Sequence, residues 1–173
     1  MSLHRFVCPA LALGLLAAVT PATATRLELQ AGRSYTDSNG ANTAFVEAVF
    51  APRTLGRTRF VWSPDVSVGW IDGRHLKHHA GPYDSRASVA LLAAGARVHM
   101  GSEGRWYHPL YFSGQIAATN HTTHALSSHY QFVSTLGWQA KHFNVAIRHI
   151  SNGSLNGPNA GETMALVGVA FDI

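Results

Sequence analysis

The strongest candidates for chemistry in the sequence are a histidine and a serine two residues apart, His149 and Ser151. On a β-strand, residues i and i+2 point to the same face with Cβ atoms about 7 Å apart, which brings an imidazole within reach of a hydroxyl. His149 can then remove the serine proton as a general base, and Ser151 can attack a carbonyl carbon. The spacing therefore indicates nucleophilic acyl transfer.

The residues that follow this pair can complete such a site. Glu162 is the nearest acid in sequence and can hold the second ring nitrogen of the histidine. Asn152, Asn159 and the backbone amide of Gly153 can donate hydrogen bonds to an oxyanion. The alternative is that the histidine and serine only mark the end of a strand and that residues 152–161 are an ordinary loop. The spacing alone does not decide between these interpretations.

The elements that position these residues are predicted to be β-strands. The sequence after residue 24 shows eight segments of about ten residues in which apolar residues alternate with polar or small ones, and no apolar stripe with helical period. The predicted segments are 27–35, 43–51, 58–70, 88–100, 107–120, 127–139, 142–151 and 163–173. Segments of this length fit tilted membrane-spanning strands, and an even number closes an antiparallel barrel. The predicted fold class is all-β, an eight-stranded antiparallel transmembrane β-barrel.

The alternation also predicts which way the candidate pair points. In the seventh segment the outward apolar series Phe143, Val145 and Ile147 continues to His149 and Ser151. Polar or ionisable groups on a lipid-facing surface are costly and rare, so they are functional candidates. Connectors after odd-numbered segments (34–42, 71–87, 121–126 and 152–162) are expected to be longer than those after even-numbered ones (52–57, 101–106 and 140–141). This asymmetry places the pair near the extracellular end, at the outer leaflet.

Composition and the first residues point to an exported protein. The chain has 173 residues, 46% hydrophobic and 13% charged, with a formal net charge of +4. Residues 1–24 are predicted to be a signal peptide, because one early arginine precedes a short apolar stretch that ends in Ala22-Thr23-Ala24. Residues 25–173 then form one domain. The single cysteine, Cys8, excludes a disulfide framework, and the scattered basic residues give no indication of nucleic-acid binding.

Three further expectations concern the barrel. Inward-facing Glu28, Glu47 and Arg148 are expected to fill the interior and to pair, since an unpaired buried charge is costly. Pro64 is expected to cause a bulge or local break, because a closed barrel has no free edge. A soluble lipocalin-like barrel is the structural alternative, but so few charged residues would solvate its outer face poorly.

The end of the chain resembles a known family. The order His149-x-Ser151-Asn152-Gly153, then Pro158-Asn159-x-Gly161 and an acid, then one terminal strand, is similar to the lipid A 3-O-deacylases of the outer membrane. The likeness in motifs runs from about residue 143 to the C-terminus. The resemblance implies an eight-stranded outer-membrane barrel with a serine-histidine-glutamate triad on its lipid-facing surface. It implies removal of the ester-linked 3-hydroxyacyl chain at position 3 of lipid A, without metal or cofactor.

Residue by residue, the resemblance implies that His149 is the base, Ser151 the nucleophile and Asn159 an oxyanion or site-shaping residue. Glu162 would be the acid, but the family pattern has one residue between glycine and glutamate, whereas Glu162 directly follows Gly161 here. Strict alternation turns Glu162 inward. A bulge at the glycine would turn it outward again.

The expected partners are lipopolysaccharide as substrate and the surrounding outer-membrane lipids, and a homodimer is left open. Arg74, Lys77 and Arg86 in the long second loop can pair with lipid A phosphates. Histidines in two loops (His75, His78, His79, and His121 with His124) lack the accompanying carboxylates of a metal site, so no metal is expected. The rival to an enzyme is a non-catalytic eight-stranded barrel that serves adhesion or envelope integrity, and a soluble periplasmic ligand-binding barrel is a third alternative.

Overall fold

All regular secondary structure in the described residues is β-strand. The computed structural model describes residues 24–36, 39–74, 87–100, 105–157 and 159–173. Nearly all of the predicted signal peptide therefore lies outside the described residues. The strands are β1 (Ala24–Thr36), β2 (Asn39–Phe50), β3 (Arg53–Thr54), β4 (Phe60–Ile71), β5 (Val89–Met100), β6 (Leu110–Thr119), β7 (Tyr130–Gln139), β8 (Phe143–Ser151) and β9 (Glu162–Asp172).

Eight of these strands close into an antiparallel barrel. Each long strand pairs with the next along the chain, β9 pairs with β1, and β2 pairs with β4. The two-residue strand β3 lies outside this cycle and pairs only with the start of β4. The predicted fold class is confirmed. The described residues contain no helix long and apolar enough to cross a bilayer.

The outer wall of the barrel is apolar and the interior is polar. Along β6, β7 and β8, exposed and buried residues alternate one by one. The exposed large side chains form a belt around the wall that includes Leu29, Val46, Val68, Leu92, Phe112, Ile116, Phe132, Leu136, Ile147 and Val167. An apolar outer face with polar residues inside is the pattern of a transmembrane barrel and is the reverse of a soluble one.

Charged residues fill the centre of the barrel. The guanidinium of Arg97 contacts Glu28 at 2.8 Å and Glu47 at 2.9 Å, and Arg148 contacts Glu47 at 2.6 Å. Arg26 adds a further contact with Glu28 at 2.7 Å. The expected pairing of the interior charges is confirmed. The interior of an eight-stranded barrel is just wide enough for side chains to fill it, and these ion pairs occupy its centre.

Pro64 interrupts the pairing on one side of its strand. The pairing of β4 with β5 continues through Pro64 opposite Ala96. On the other side of β4, the pairing with β2 ends at Asp65 and the pairing with β3 begins at Trp62. Proline lacks a backbone N–H, so it is tolerated in this gap between two partner strands. The expected break therefore lies in the pairing and not in the strand itself.

The connectors differ less in length than the sequence predicts. β1 and β2 are joined by residues 37–38 alone, because their pairing extends to Thr36 opposite Asn39. At the opposite end of the barrel, 51–59 and 101–109 are longer than expected. The three longest stretches on one side remain 72–88, 120–129 and 152–161, and we call that side the loop end.

Candidate active site

His149 and Ser151 lie on the outer face of β8, at the loop end of that strand. His149 is exposed and Ser151 is half-buried, while Ile150 between them is fully buried in the interior. On either side, His149 is opposite Ser134 of β7 and Thr163 of β9. A group of polar side chains therefore interrupts the apolar wall.

The imidazole of His149 is held by the neighbouring strand. Its Nδ1 atom lies 2.9 Å from Oγ1 of Thr163. The ring reaches toward Gly161, since a β-carbon at that glycine would lie 3.1 Å from Nε2. The pairing of β8 with β9 ends at Ile150 opposite Glu162, so Gly161, the residue before Glu162, lies beside the end of β8. No hydrogen bond joins His149 to Ser151 among the described residues.

Glu162 points into the barrel and does not reach His149. The residue is 3% exposed, and its carboxylate contacts the guanidinium of Arg74 at 2.5 Å. Arg74 also donates to the hydroxyl of Ser34 at 3.0 Å. Gly161 has a left-handed backbone with φ 72°, but it precedes the strand and leaves the alternation of β9 unchanged. The outward rotation expected from a bulge does not occur, and the structure does not bring Glu162 to the candidate site.

Asn159 presents a free hydrogen-bond donor beside the glycine. Its Oδ1 accepts from the backbone N–H of Gly161 at 2.9 Å, which fixes the orientation of the amide. Its Nδ2 is buried and has no hydrogen-bond partner in the described part of the chain. Buried amide donors are nearly always satisfied, so an unpaired one is a candidate donor to a bound group. Of the two asparagines, Asn159 has the unpaired side-chain amide and Asn152 has an engaged one.

Asn152 joins two loops at the loop end. Its side chain is fully buried, and its Nδ2 donates to Ser127 Oγ at 3.0 Å and to Ser128 Oγ at 3.2 Å. Its Oδ1 accepts from the Ser154 N–H at 2.9 Å. The side chain is thus engaged in tying 152–161 to 120–129, and it shapes the site from inside. Gly153 is exposed with φ 64°, as the turn after the strand requires.

Two neighbours of His149 belong to no sequence motif. Thr163 and Ser134 contact or flank the ring, and both are identified by alternation and register alone. Arg74, expected to pair with lipid A phosphates, contacts Glu162 and Ser34, and its pairing with phosphate stays a prediction. Lys77, Arg86, and the histidines at 75, 78 and 79 lie outside the described residues. The described residues contain no group of three or more histidine, cysteine or acidic side chains arranged to hold a metal.

Comparison with known proteins shows a likeness in fold. No protein-family profile matches the sequence, and no curated protein matches it. Among solved structures, the barrel is similar to the crystal structure of the outer membrane enzyme PagL, with a TM-score of 0.57 and 15% sequence identity. The likeness covers 86% of this chain and 99% of that one. The chain therefore has the fold of an outer-membrane barrel, in agreement with the resemblance read from residues 143–173.

Proposed function

We propose that this protein is an outer-membrane serine hydrolase that removes the ester-linked 3-hydroxyacyl chain from position 3 of lipid A. The observation that carries the proposal is that His149 and Ser151 share the outer face of β8 at the loop end, and the unpaired amide of Asn159 beside Gly161 supports it. The fold shared with the outer membrane enzyme PagL supports it. Its substrate would reach the site by lateral diffusion within the membrane.

The proposed reaction begins at the serine. The Oγ of Ser151 attacks the carbonyl carbon of the acyl ester, while Nε2 of His149 takes the hydroxyl proton. The carbonyl oxygen becomes an oxyanion, to which Nδ2 of Asn159 donates. The tetrahedral intermediate then expels the sugar oxygen, which receives the proton from the imidazole. A water molecule, deprotonated by the same histidine, attacks the acyl-serine and releases the fatty acid.

The surface beside His149 suits an acyl chain. A groove of about 460 Å³ on the outer wall is lined by Ala94, Ala96, Gly114, Ile116, Phe132 and Ser134. The cross-strand row that starts at His149 runs through Ser134, Gly114 and Ala96. Each residue of the row lies farther from the loop end of its own strand than the one before it. His149 is two positions from that end, Ser134 four, Gly114 five and Ala96 seven.

This row therefore descends from the candidate site toward the middle of the wall. Because its side chains are small, the wall is recessed along it between the larger Ile116 and Phe132 on one side and Phe112 and Leu136 on the other. An acyl chain in the recess has its ester near Ser151. Its tail extends into the hydrocarbon layer, where an apolar chain is most stable.

Mass spectrometry of lipid A tests the proposal. Cells that express the wild-type chain should show lipid A lacking one hydroxyacyl group, and cells that express Ser151→Ala should not. Ser154→Gly is the matched control, because Ser154 is an exposed hydroxyl three residues away whose φ of 59° suits glycine. Heat-modifiable migration in gels confirms that each variant is folded. If lipid A is unchanged by the folded wild type, the non-catalytic barrel is the better interpretation.

A further inference from the structure

We infer that Thr163, and not the nearby acid Glu162, is the positioning residue that orients the imidazole of His149. The inference rests on the proposed function and assigns the third member of its site. The chain thus uses a neutral hydroxyl where a serine-hydrolase triad has a carboxylate. Three features of the structure support this assignment.

The first feature is the geometry of the ring. His149 and Thr163 are directly opposed on β8 and β9, and Nδ1 lies 2.9 Å from Oγ1. When the hydroxyl oxygen accepts from Nδ1–H, the Nε2 atom carries no proton. That nitrogen is then able to accept a proton from Ser151. In the opposite tautomer Nε2 is protonated and cannot act as a base.

The second feature is the sequestration of the acid. Glu162 lies on the inner side of the strand, with its carboxylate in contact with Arg74 near Ser34. To reach His149 it would have to break this buried ion pair and change the register of β9 by one residue. Such a shift would also turn Met164 and Leu166 outward, although they are 1% and 2% exposed in the interior.

The third feature is the environment of the histidine. His149 and Thr163 are both exposed on the face that continues into the apolar belt through Ile147 and Val167. An ionised carboxylate on such a face is costly, whereas a threonine hydroxyl carries no charge. The hydroxyl therefore positions the ring at low cost, but it stabilises the imidazolium less than a carboxylate would.

The test combines kinetics with ¹⁵N NMR of the histidine ring. Thr163→Val keeps the side-chain shape and removes the hydroxyl, and Thr163→Ser keeps the hydroxyl. With lipid A in detergent, Thr163→Val should lower kcat by about 10²-fold with little change in KM, and Thr163→Ser should restore it. Thr54→Val, on the exposed strand β3 at the far end of the barrel, is the matched control.

The NMR measurement reports on the tautomer without catalysis. The His149 signals, assigned by their loss in His149→Gln, should show a hydrogen-bonded Nδ1–H in the wild type and in Thr163→Ser, but not in Thr163→Val. An unchanged tautomer and kcat in Thr163→Val would overturn the inference, as would loss of that tautomer in Glu162→Gln alone. If Ser151→Ala remains active, the proposed function fails, and the NMR result still decides what orients His149.

Discussion

A β-carbon added to Gly161 would lie 2.8 Å from Cε1 of His149, closer than side-chain atoms approach one another. The glycine therefore provides the space that the imidazole occupies beside Thr163. This contact links the turn before β9 to the ring on β8. Gly161 therefore leaves room for the imidazole, and this role is separate from its left-handed backbone conformation.

Gly161→Ala should displace the ring and lower kcat by about 10²-fold, since misplacement of a catalytic group by about 1 Å has an effect of that size. The left-handed φ of 72° adds a cost of about 1–2 kcal/mol for alanine. Gly56→Ala is the control, because Gly56 has φ 57° and nothing within 4 Å of an added β-carbon. Equal kcat values for the two folded variants would contradict the steric explanation.

Asn159→Asp should lower kcat by about 10²–10³-fold, the usual effect of losing one oxyanion donor. Aspartate keeps the oxygen that accepts from the Gly161 N–H and removes the free Nδ2 donor. Asn152→Asp is a useful comparison, since it removes an amide that is engaged with Ser127 and Ser128 and should mainly destabilise the loops. Steady-state kinetics on lipid A in detergent, with thermal unfolding in parallel, separates the two effects. A wild-type kcat in Asn159→Asp would exclude the oxyanion role.

The sidedness of β8 could be predicted from sequence because it depends only on local alternation. The outward series from Phe143 to Ile147 is long and regular, so it places His149 and Ser151 without knowledge of the rest of the barrel. The contact between Arg148 and Glu47 was predictable for the same reason, since both residues have inward parity. Pro64 was recognisable as a disturbance from its missing N–H alone.

The parts that sequence reasoning missed depend on contacts distant in the chain. Whether the Glu162 side chain points inward or outward depends on whether the turn at Gly161 adds an extra residue to β9. The sequence motif alone does not determine this. Its partner Arg74 comes from a connector 88 residues away. Arg97 joins Glu28 and Glu47 only because strand pairing and closure bring β1, β2 and β5 to the same level of the interior.

Arg97→Met should strongly destabilise the barrel, because it leaves the carboxylates of Glu28 and Glu47 close together in the interior with fewer cations. Breaking a buried ion pair by removing one partner typically costs about 3–5 kcal/mol. Arg53→Met is the matched control, since Arg53 is exposed and stacks on Trp62 at 5.6 Å. Urea unfolding followed by tryptophan fluorescence compares the two. Similar midpoints would show that the interior network contributes little to stability.

Glu162→Gln should lower stability by about 1.5–3 kcal/mol, because it replaces a charged acceptor of the Arg74 guanidinium by a neutral one in a buried contact. Adding Arg74→Met to this variant should recover part of the loss, since the cation left in the interior is then removed as well. Asp172→Asn is the control, because that carboxylate is 63% exposed and 3.6 Å from Arg26, so its contribution should be about 0–1 kcal/mol. Thermal unfolding of the four folded proteins measures these differences. A Glu162→Gln protein as stable as Asp172→Asn would show that the contact with Arg74 contributes little to stability.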